Sequence, residues 1–163
     1  MPAPAATASC PEASGPGIPN INPVTGLSTD YLNHFSEALM ALDMVRAMPE
    51  CIEDLRAWVP KTYAEHFAQS RLGHRERIVR MYEAAPLRAA LDGLADVLNA
   101  RLAEARDTAV HHLQTGAADF APEHAASAIR PLIAQLAALI AGATSGPAER
   151  ERSQAAIDAM FAK

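Results

Sequence analysis

The chain has 163 residues and a formal net charge of −5, from 14 Lys and Arg against 19 Asp and Glu. Its summed field repels a phosphate backbone, which argues against nucleic acid as a partner. Hydrophobic residues make up 50 % of the chain and aromatic residues only 5 %, while 36 residues are alanine, the strongest helix former. A chain of this length and composition is expected to form one helical domain around a single core.

Cysteine usage and hydropathy favour a cytoplasmic protein. Cys10 and Cys51 are the only cysteines, a pattern unlike a disulfide framework or a zinc site, which favours a reducing compartment. The chain opens with Met1-Pro2-Ala3-Pro4 and lacks the basic and apolar regions of a secretory signal. The longest apolar run, residues 131–143, contains Gln135 and is too short to span a bilayer. We therefore expect a cytoplasmic location and no membrane contact.

Residues 1–28 are predicted to form a disordered tail. Six of the twelve prolines and three of the eight glycines fall within residues 1–27, where Glu12 is the only charged residue. No helical or strand period occurs there, and such a segment buries too little to offset the entropy lost on ordering. Residues 29–163 are assigned to one helical-bundle domain.

The first half of this domain predicts three helices. Leu32, Phe35, Leu39 and Leu42 recur at spacings of three and four from Asp30 onward, and this helix should end at Met48-Pro49. A short connecting helix follows Pro49 and ends at Pro60. Thr62 and Glu65 form a capping-box pattern, which predicts a long helix from Thr62 to about Ala85.

The second half predicts two long helices and a terminal one. A leucine stripe from Leu87 to Leu102 predicts a helix that begins at Pro86 and ends at Thr115-Gly116. The next helix should begin at Pro122 and end at Gly142, with a kink at Pro131. A last helix begins near Pro147, with Ile157, Met160 and Phe161 as its apolar positions. The predicted fold is all-α: an up-and-down bundle of four to five helices plus one short connecting helix.

A short repeat offers a candidate metal site. The segment Asp30-Tyr31-Leu32-Asn33-His34-Phe35 recurs as Thr62-Tyr63-Ala64-Glu65-His66-Phe67, and each copy also has the pattern of a capped helix start. His34, Glu37 and His66 could bind zinc, iron or manganese if the two helices are neighbours. The chain lacks the Glu-x-x-His spacing of di-metal carboxylate bundles, so no cofactor is the first expectation and a metal enzyme the alternative.

A second candidate site lies in the predicted long helix. Arg71, Arg75, Arg77 and Arg80 cluster with only Glu76 to offset them, which is typical of a solvated face but also of a site for phosphate or an acidic partner. On a helical wheel, Arg71 falls near the apolar stripe beside Ser70 and His74. These three residues are the candidate ligand-binding residues, and His74 is expected to be buried between Phe67, Ile78 and Met81.

Elimination leaves an interaction module as the preferred function. Neither a nucleophile elbow, nor a phosphate-binding glycine loop, nor a recognisable phosphotransfer histidine motif occurs. Met40 and Met44 on the first helix, and Leu72 and Val79 on the long helix, form second apolar strips that are typical of interfaces. We therefore expect a non-enzymatic adaptor, regulatory subunit or self-associating bundle, with a protein partner or a homodimer as its complex.

Overall fold

A computed structural model describes residues 20–71, 73–116 and 121–143. Within these ranges the chain forms helices and turns and no strand, and an isolated antiparallel bridge joins Ile21 to Ser28. This confirms the all-α fold class. The helices are α1 (Tyr31–Met44), a single 3₁₀ turn (Pro49–Cys51), α2 (Ile52–Ala57), α3 (Tyr63–Ala68), α4 (Arg75–Glu83), α5 (Arg88–Thr115) and α6 (Pro122–Ile140).

The core lies where α1, α5 and α6 pack against one another. Buried residues recur along α5 at spacings of three and four, and small alanines alternate with leucines so that neighbouring helices approach closely. The predicted end of this helix is confirmed, because Gly116 adopts a positive φ of 67° at the C-cap. The buried positions of α5 are Leu91, Ala95, Leu98, Asn99, Leu102, Ala105 and Ala109.

Helices α1 and α6 run in opposite directions. Arg130 in the middle of α6 forms an ion pair with Asp43 near the end of α1, and Arg46 forms one with Glu123 at the start of α6. At the other end, the backbone oxygen of Ile140 accepts a hydrogen bond from Thr25, which precedes α1. These contacts place opposite ends of the two helices together.

The predicted long helix from Thr62 to about Ala85 is wrong, because the structure divides it into α3 and α4. Its start is confirmed: the Glu65 amide donates to Thr62 Oγ1 at 3.2 Å, and the Thr62 amide donates to Glu65 Oε2 at 2.8 Å. The helix ends after Ala68, and α4 begins only at Arg75. Gly73 lies in the break, where its low helix propensity weighs against a continuous helix.

The equivalent cap of α1 is absent. Asp30 occupies the N-cap position, but its side chain makes no hydrogen bond to the first turn. Asp30 Oδ1 instead accepts a hydrogen bond from Asn20 Nδ2 at 3.0 Å. The two copies of the repeat therefore begin their helices by different means.

Residues 20–28 belong to the folded domain, so the predicted tail boundary after residue 28 lies too late. Leu27 and Ser28 are fully buried, and the Ser28 amide donates to the Tyr63 hydroxyl at 2.8 Å. Thr25 Oγ1 and Asn22 Nδ2 donate to the backbone oxygens of Ile140 and Ala141. These two carbonyls end α6, where intrahelical donors are lacking, so the segment caps that helix. The predictions for residues 1–19 lie outside the described residues.

The predicted last helix, from near Pro147 through Phe161, also lies outside the described residues. Pro131 is exposed inside α6, and the helix continues through it to Ile140. In the described part of the chain, no helix combines the length and hydropathy needed to cross a membrane.

Candidate functional site

An open cleft lies between α1 and the segment formed by the 3₁₀ turn, α2 and Trp58-Val59. We call it the methionine cleft, because Met40 and Met44 of α1 and Met48, just before the 3₁₀ turn, all line it. Trp58 and Val59 line the opposite wall. The cleft has a volume of about 590 Å³. Four-residue spacing places Met40 and Met44 on one face of α1, and Met48, which follows the turn after α1, completes the methionine lining.

The methionine cleft concentrates the exposed apolar surface of the described residues. Met40 is 59 % exposed, Met44 36 %, Met48 37 % and Val59 50 %. Two further large apolar side chains are exposed in those residues, Val24 and Leu113, and neither lines this cleft. A clustered apolar surface of this kind is typical of a binding site, whereas isolated exposed side chains are ordinary.

His34 lies at the inner end of the methionine cleft and is buried. Its ring stacks on the Trp58 indole with 5.0 Å between ring centroids. The indole N–H of Trp58 donates to the backbone oxygen of His34 at 2.9 Å. These two contacts join α1 to the end of α2 and fix the wall that carries Trp58 and Val59.

Asn99 on α5 determines the orientation and tautomer of His34. Asn99 Nδ2 donates to the backbone oxygen of Lys61 at 3.0 Å, so its Oδ1 faces His34 Nε2 at 3.3 Å. An amide oxygen only accepts, and Nε2 therefore carries the proton. The Tyr31 hydroxyl donates to the same Lys61 oxygen at 2.7 Å. All these polar atoms are satisfied, so the network holds the inner end of the cleft rigidly.

Both histidines of the repeat are held neutral at physiological pH. Burial lowers the pKa of His34 to about 4, and the neighbouring His66 also disfavours its charged form. Burial is also the main reason why the pKa of His66 lies below its usual range, with Lys61 as the second cause and Glu37 opposing it. Two neutral imidazoles with a ring separation of 5.9 Å thus lie next to the methionine cleft.

The pKa of His34 predicts a loss of stability in mild acid. In the unfolded chain His34 has a pKa of about 6.5, so the unfolded state binds more protons as the pH falls below that value. Stability linked to neutral His34 is complete above about pH 6.5 and is lost as the pH falls toward the folded pKa of about 4. Between about pH 7.5 and about pH 5 we expect the free energy of unfolding to fall by about 2 kcal/mol from this group.

Urea unfolding of the parent and His34→Gln at both pH values tests this expectation. Glutamine does not titrate and keeps an amide donor for Asn99 Oδ1, so its pH dependence should be smaller by about 2 kcal/mol. Equal pH dependence of the two proteins would show that His34 is not the titrating group.

The structure brings the two copies of the repeat together, but it gives the metal alternative an incomplete ligand set. Tyr31 contacts Tyr63 edge-on with a centroid separation of 5.1 Å, and His34 lies near His66. Glu37 is close enough to His66 to affect its pKa. In residues 20–71, 73–116 and 121–143, however, no three histidine, cysteine or carboxylate side chains are arranged to hold a metal ion.

Two unpaired carboxylates lie within the methionine cleft. Glu37 and Asp54 line it, and neither has a salt-bridge partner among the residues described. Of the described residues that line the cleft, Lys61 is the single cation. The segment from residue 30 to 59 carries six acidic residues and two arginines, a charge of −4. The cleft therefore combines an apolar wall with a negative surround.

The prediction that His74 is buried between Phe67, Ile78 and Met81 is wrong. His74 is exposed and occupies the N-cap position of α4. The wheel assumed a continuous helix, and the break between α3 and α4 changes the direction of every later side chain. Arg71 is likewise exposed, and it lines a small polar hollow together with His74. Ser70 is half-buried and does not line that hollow.

The predicted interface residues divide into two groups. Met40 and Met44 line the methionine cleft, as an interface on α1 requires. Val79 is half-buried and packs against the core, and the structure of Leu72 lies outside the described residues. Sequence reasoning missed Met48 and Val59, although the four-residue spacing of the three methionines was a visible signal. It also missed Trp58 and Asn99 as partners of His34.

Comparison with known proteins adds no relative: no family profile, no curated protein and no solved structure matches this chain.

Proposed function

We propose that this protein is a non-enzymatic cytoplasmic interaction module, an adaptor or regulatory subunit that binds an amphipathic helix of a protein partner in the methionine cleft. The observation that carries this proposal is that three exposed methionines, Met40, Met44 and Met48, line the same open cleft. Unbranched methionine side chains adapt to differently shaped apolar anchors, which suits them to helix recognition.

The rigid wall opposite the methionines supports this proposal. Trp58 is held by its stacking on His34 and by its indole hydrogen bond, so one wall is fixed while the methionine wall adapts. A preformed wall lowers the entropy lost when a partner binds. Apolar anchors of the partner helix would lie between the two walls.

Charge favours a basic partner over a second copy of this chain. Glu37 and Asp54 have no ion-pair partner in the described part of the chain, so Lys or Arg residues on the partner helix would find complementary carboxylates beside the apolar anchors. A second copy docking through the same cleft would bring another Glu37 and Asp54 to the interface. Like charges at one interface disfavour that complex. We therefore propose a basic amphipathic helix, and not a second copy, as the occupant of the cleft.

Fluorescence anisotropy with two synthetic helical peptides tests the proposal. Both peptides carry leucine anchors at helical spacing. The first has lysines on its polar face, and the second has glutamates there. We expect the lysine peptide to bind more tightly. Met44→Glu should weaken its binding by about tenfold or more, because the complex would have to bury a carboxylate among apolar groups.

Leu113→Glu is the matched control, since Leu113 is 44 % exposed on α5 and lies outside the cleft. It changes the net charge by the same amount, so it should leave the binding of the lysine peptide nearly unchanged. Equal losses in both variants would mean that the peptide binds through general charge and not through the cleft. Sedimentation of the parent and of Met40→Glu tests self-association. If the parent is a dimer and Met40→Glu abolishes it, the cleft binds a second copy of this chain and not a partner helix.

A further inference from the structure

A strongly basic hollow lies at the start of α4, on a chain that is otherwise acidic. Residues 71–80 contain four arginines and one glutamate, which gives this segment a charge of +3. Because the whole chain has a net charge of −5, the other residues together carry −8. All four arginines line one hollow of about 410 Å³, which we call the arginine hollow. Its described lining includes Arg71, His74, Arg75, Arg77 and Arg80, with Glu76 as the one acid among the described residues.

The arginines of this hollow take no part in the ion pairs of the described residues. Arg71, Arg75, Arg77 and Arg80 are exposed, and none forms a salt bridge with another residue in the described ranges. The six ion pairs found there use other arginines, which lie on or beside α1, α2, α5 and α6. Four like charges held within ten residues repel one another, so an anion that neutralises them would be bound favourably.

The backbone at the start of α4 also attracts an anion. His74 stands at the N-cap, and no side chain caps the helix, so amides of the first turn lack an intrahelical partner. Free amides and the helix dipole at an N-terminus favour an anion. A Cβ placed on Gly73 would have no heavy atom within 4 Å, which leaves an open approach to the backbone beside these amides.

The lining defines the chemistry of the ligand. Among the described residues it consists of arginines, His74, Glu76 and Gly73, and none of these offers an apolar side chain to a base or an acyl chain. Guanidinium groups bind phosphate oxygens in bidentate pairs, and several arginines in one hollow suit adjacent phosphoryl groups better than a single one. We propose that the arginine hollow binds a small soluble ligand through a diphosphate group. None of its residues lines the methionine cleft, so this site is independent of the proposed docking function.

Titration calorimetry of the full chain with inorganic diphosphate, at constant ionic strength, tests the site. Orthophosphate and sulfate are titrated in parallel, and diphosphate should bind at least about tenfold more tightly than either. The double variant Arg77→Gln, Arg80→Gln should weaken diphosphate binding by about tenfold or more. Arg46→Gln, Arg130→Gln is the charge-matched control, because both arginines are exposed at the α1–α6 contact, and it should leave the affinity within about twofold.

Glu76→Gln is expected to increase the affinity for diphosphate, a result that a variant with a damaged fold would not give. Removing the single carboxylate of the hollow should tighten diphosphate binding at least about twofold, since that charge opposes the ligand. Equal affinity for diphosphate and sulfate, or equal losses in the two double variants, would overturn the proposal. So would a single-stranded oligonucleotide that binds through Arg77 and Arg80 while diphosphate does not bind.

Discussion

Trp58→Ala is expected to lower the free energy of unfolding by about 3 to 5 kcal/mol, as is usual when a buried aromatic side chain is truncated. Trp58 is buried, stacks on the ring of His34 and donates its indole hydrogen to the backbone of α1. Its own backbone oxygen accepts a hydrogen bond from Arg106 on α5. The residue thus joins α2 to two other helices, and a cavity there affects all three.

Two further variants separate packing from hydrogen bonding. Trp58→Phe keeps an aromatic ring against His34 but removes the indole donor, so it should cost less than Trp58→Ala. Val59→Ala truncates the exposed neighbour on the same wall of the methionine cleft and should change stability by no more than about 0.5 kcal/mol. Urea unfolding followed by far-UV circular dichroism is the measurement, because Trp58 is the single tryptophan and its fluorescence is lost in the two Trp58 variants. Similar costs for Trp58→Ala and Val59→Ala would show that the stacking does not stabilise the fold.

Leu27→Ala is expected to destabilise the protein by about 2 to 5 kcal/mol, the usual range for a fully buried leucine. Leu27 has no exposed surface, whereas Val24 in the same turn is 84 % exposed. Val24→Ala is therefore the matched control and should change the free energy of unfolding by about 0.5 kcal/mol or less. The same urea experiment applies to both variants.

The size of the Leu27 effect tests whether residues 20–28 belong to the domain. The turn is built by Asn22, whose side-chain oxygen accepts from the amides of Val24 and Thr25, and by Gly26 with a positive φ of 70°. It carries Thr25 to the carbonyl of Ile140 and Leu27 into the core. If Leu27→Ala were as mild as Val24→Ala, this segment would contribute nothing to the core and the predicted tail boundary would stand.

Helix starts and stripes could be predicted wherever the signal is local. The Thr62-Glu65 capping box joins groups three residues apart, and it forms as expected. The buried stripe of α5 extends from Leu91 to Ala109, about five turns at 3.6 residues per turn, so its repeated leucines outweigh Gly93 within it. The Met40 and Met44 strip was also visible, because four-residue spacing on a helix fixes the side on which both lie.

The helical wheel failed between α3 and α4 because it depends on an unbroken helix. Periodicity alone continues through residues 69–74, and the low helix propensity of Gly73 was the single local sign of a break. Once the helix stops, the next one begins with a new orientation. His74 consequently lies at an exposed N-cap instead of in the core, and the arginines after it share a hollow instead of a stripe.

The sequence by itself determined the helical fold class, the C-terminal end of α5 and the side of α1 on which Met40 and Met44 lie, because these depend on groups within one or two helical turns. Tertiary structure alone decided that the methionines face Trp58 across a cleft and that His34 binds Asn99, 65 residues further along the chain. It also decided that residues 22–28 cap the distant end of α6. The physical reason is that hydrogen bonds and packing between helices depend on how the helices are placed in space, and no spacing along the chain encodes that placement.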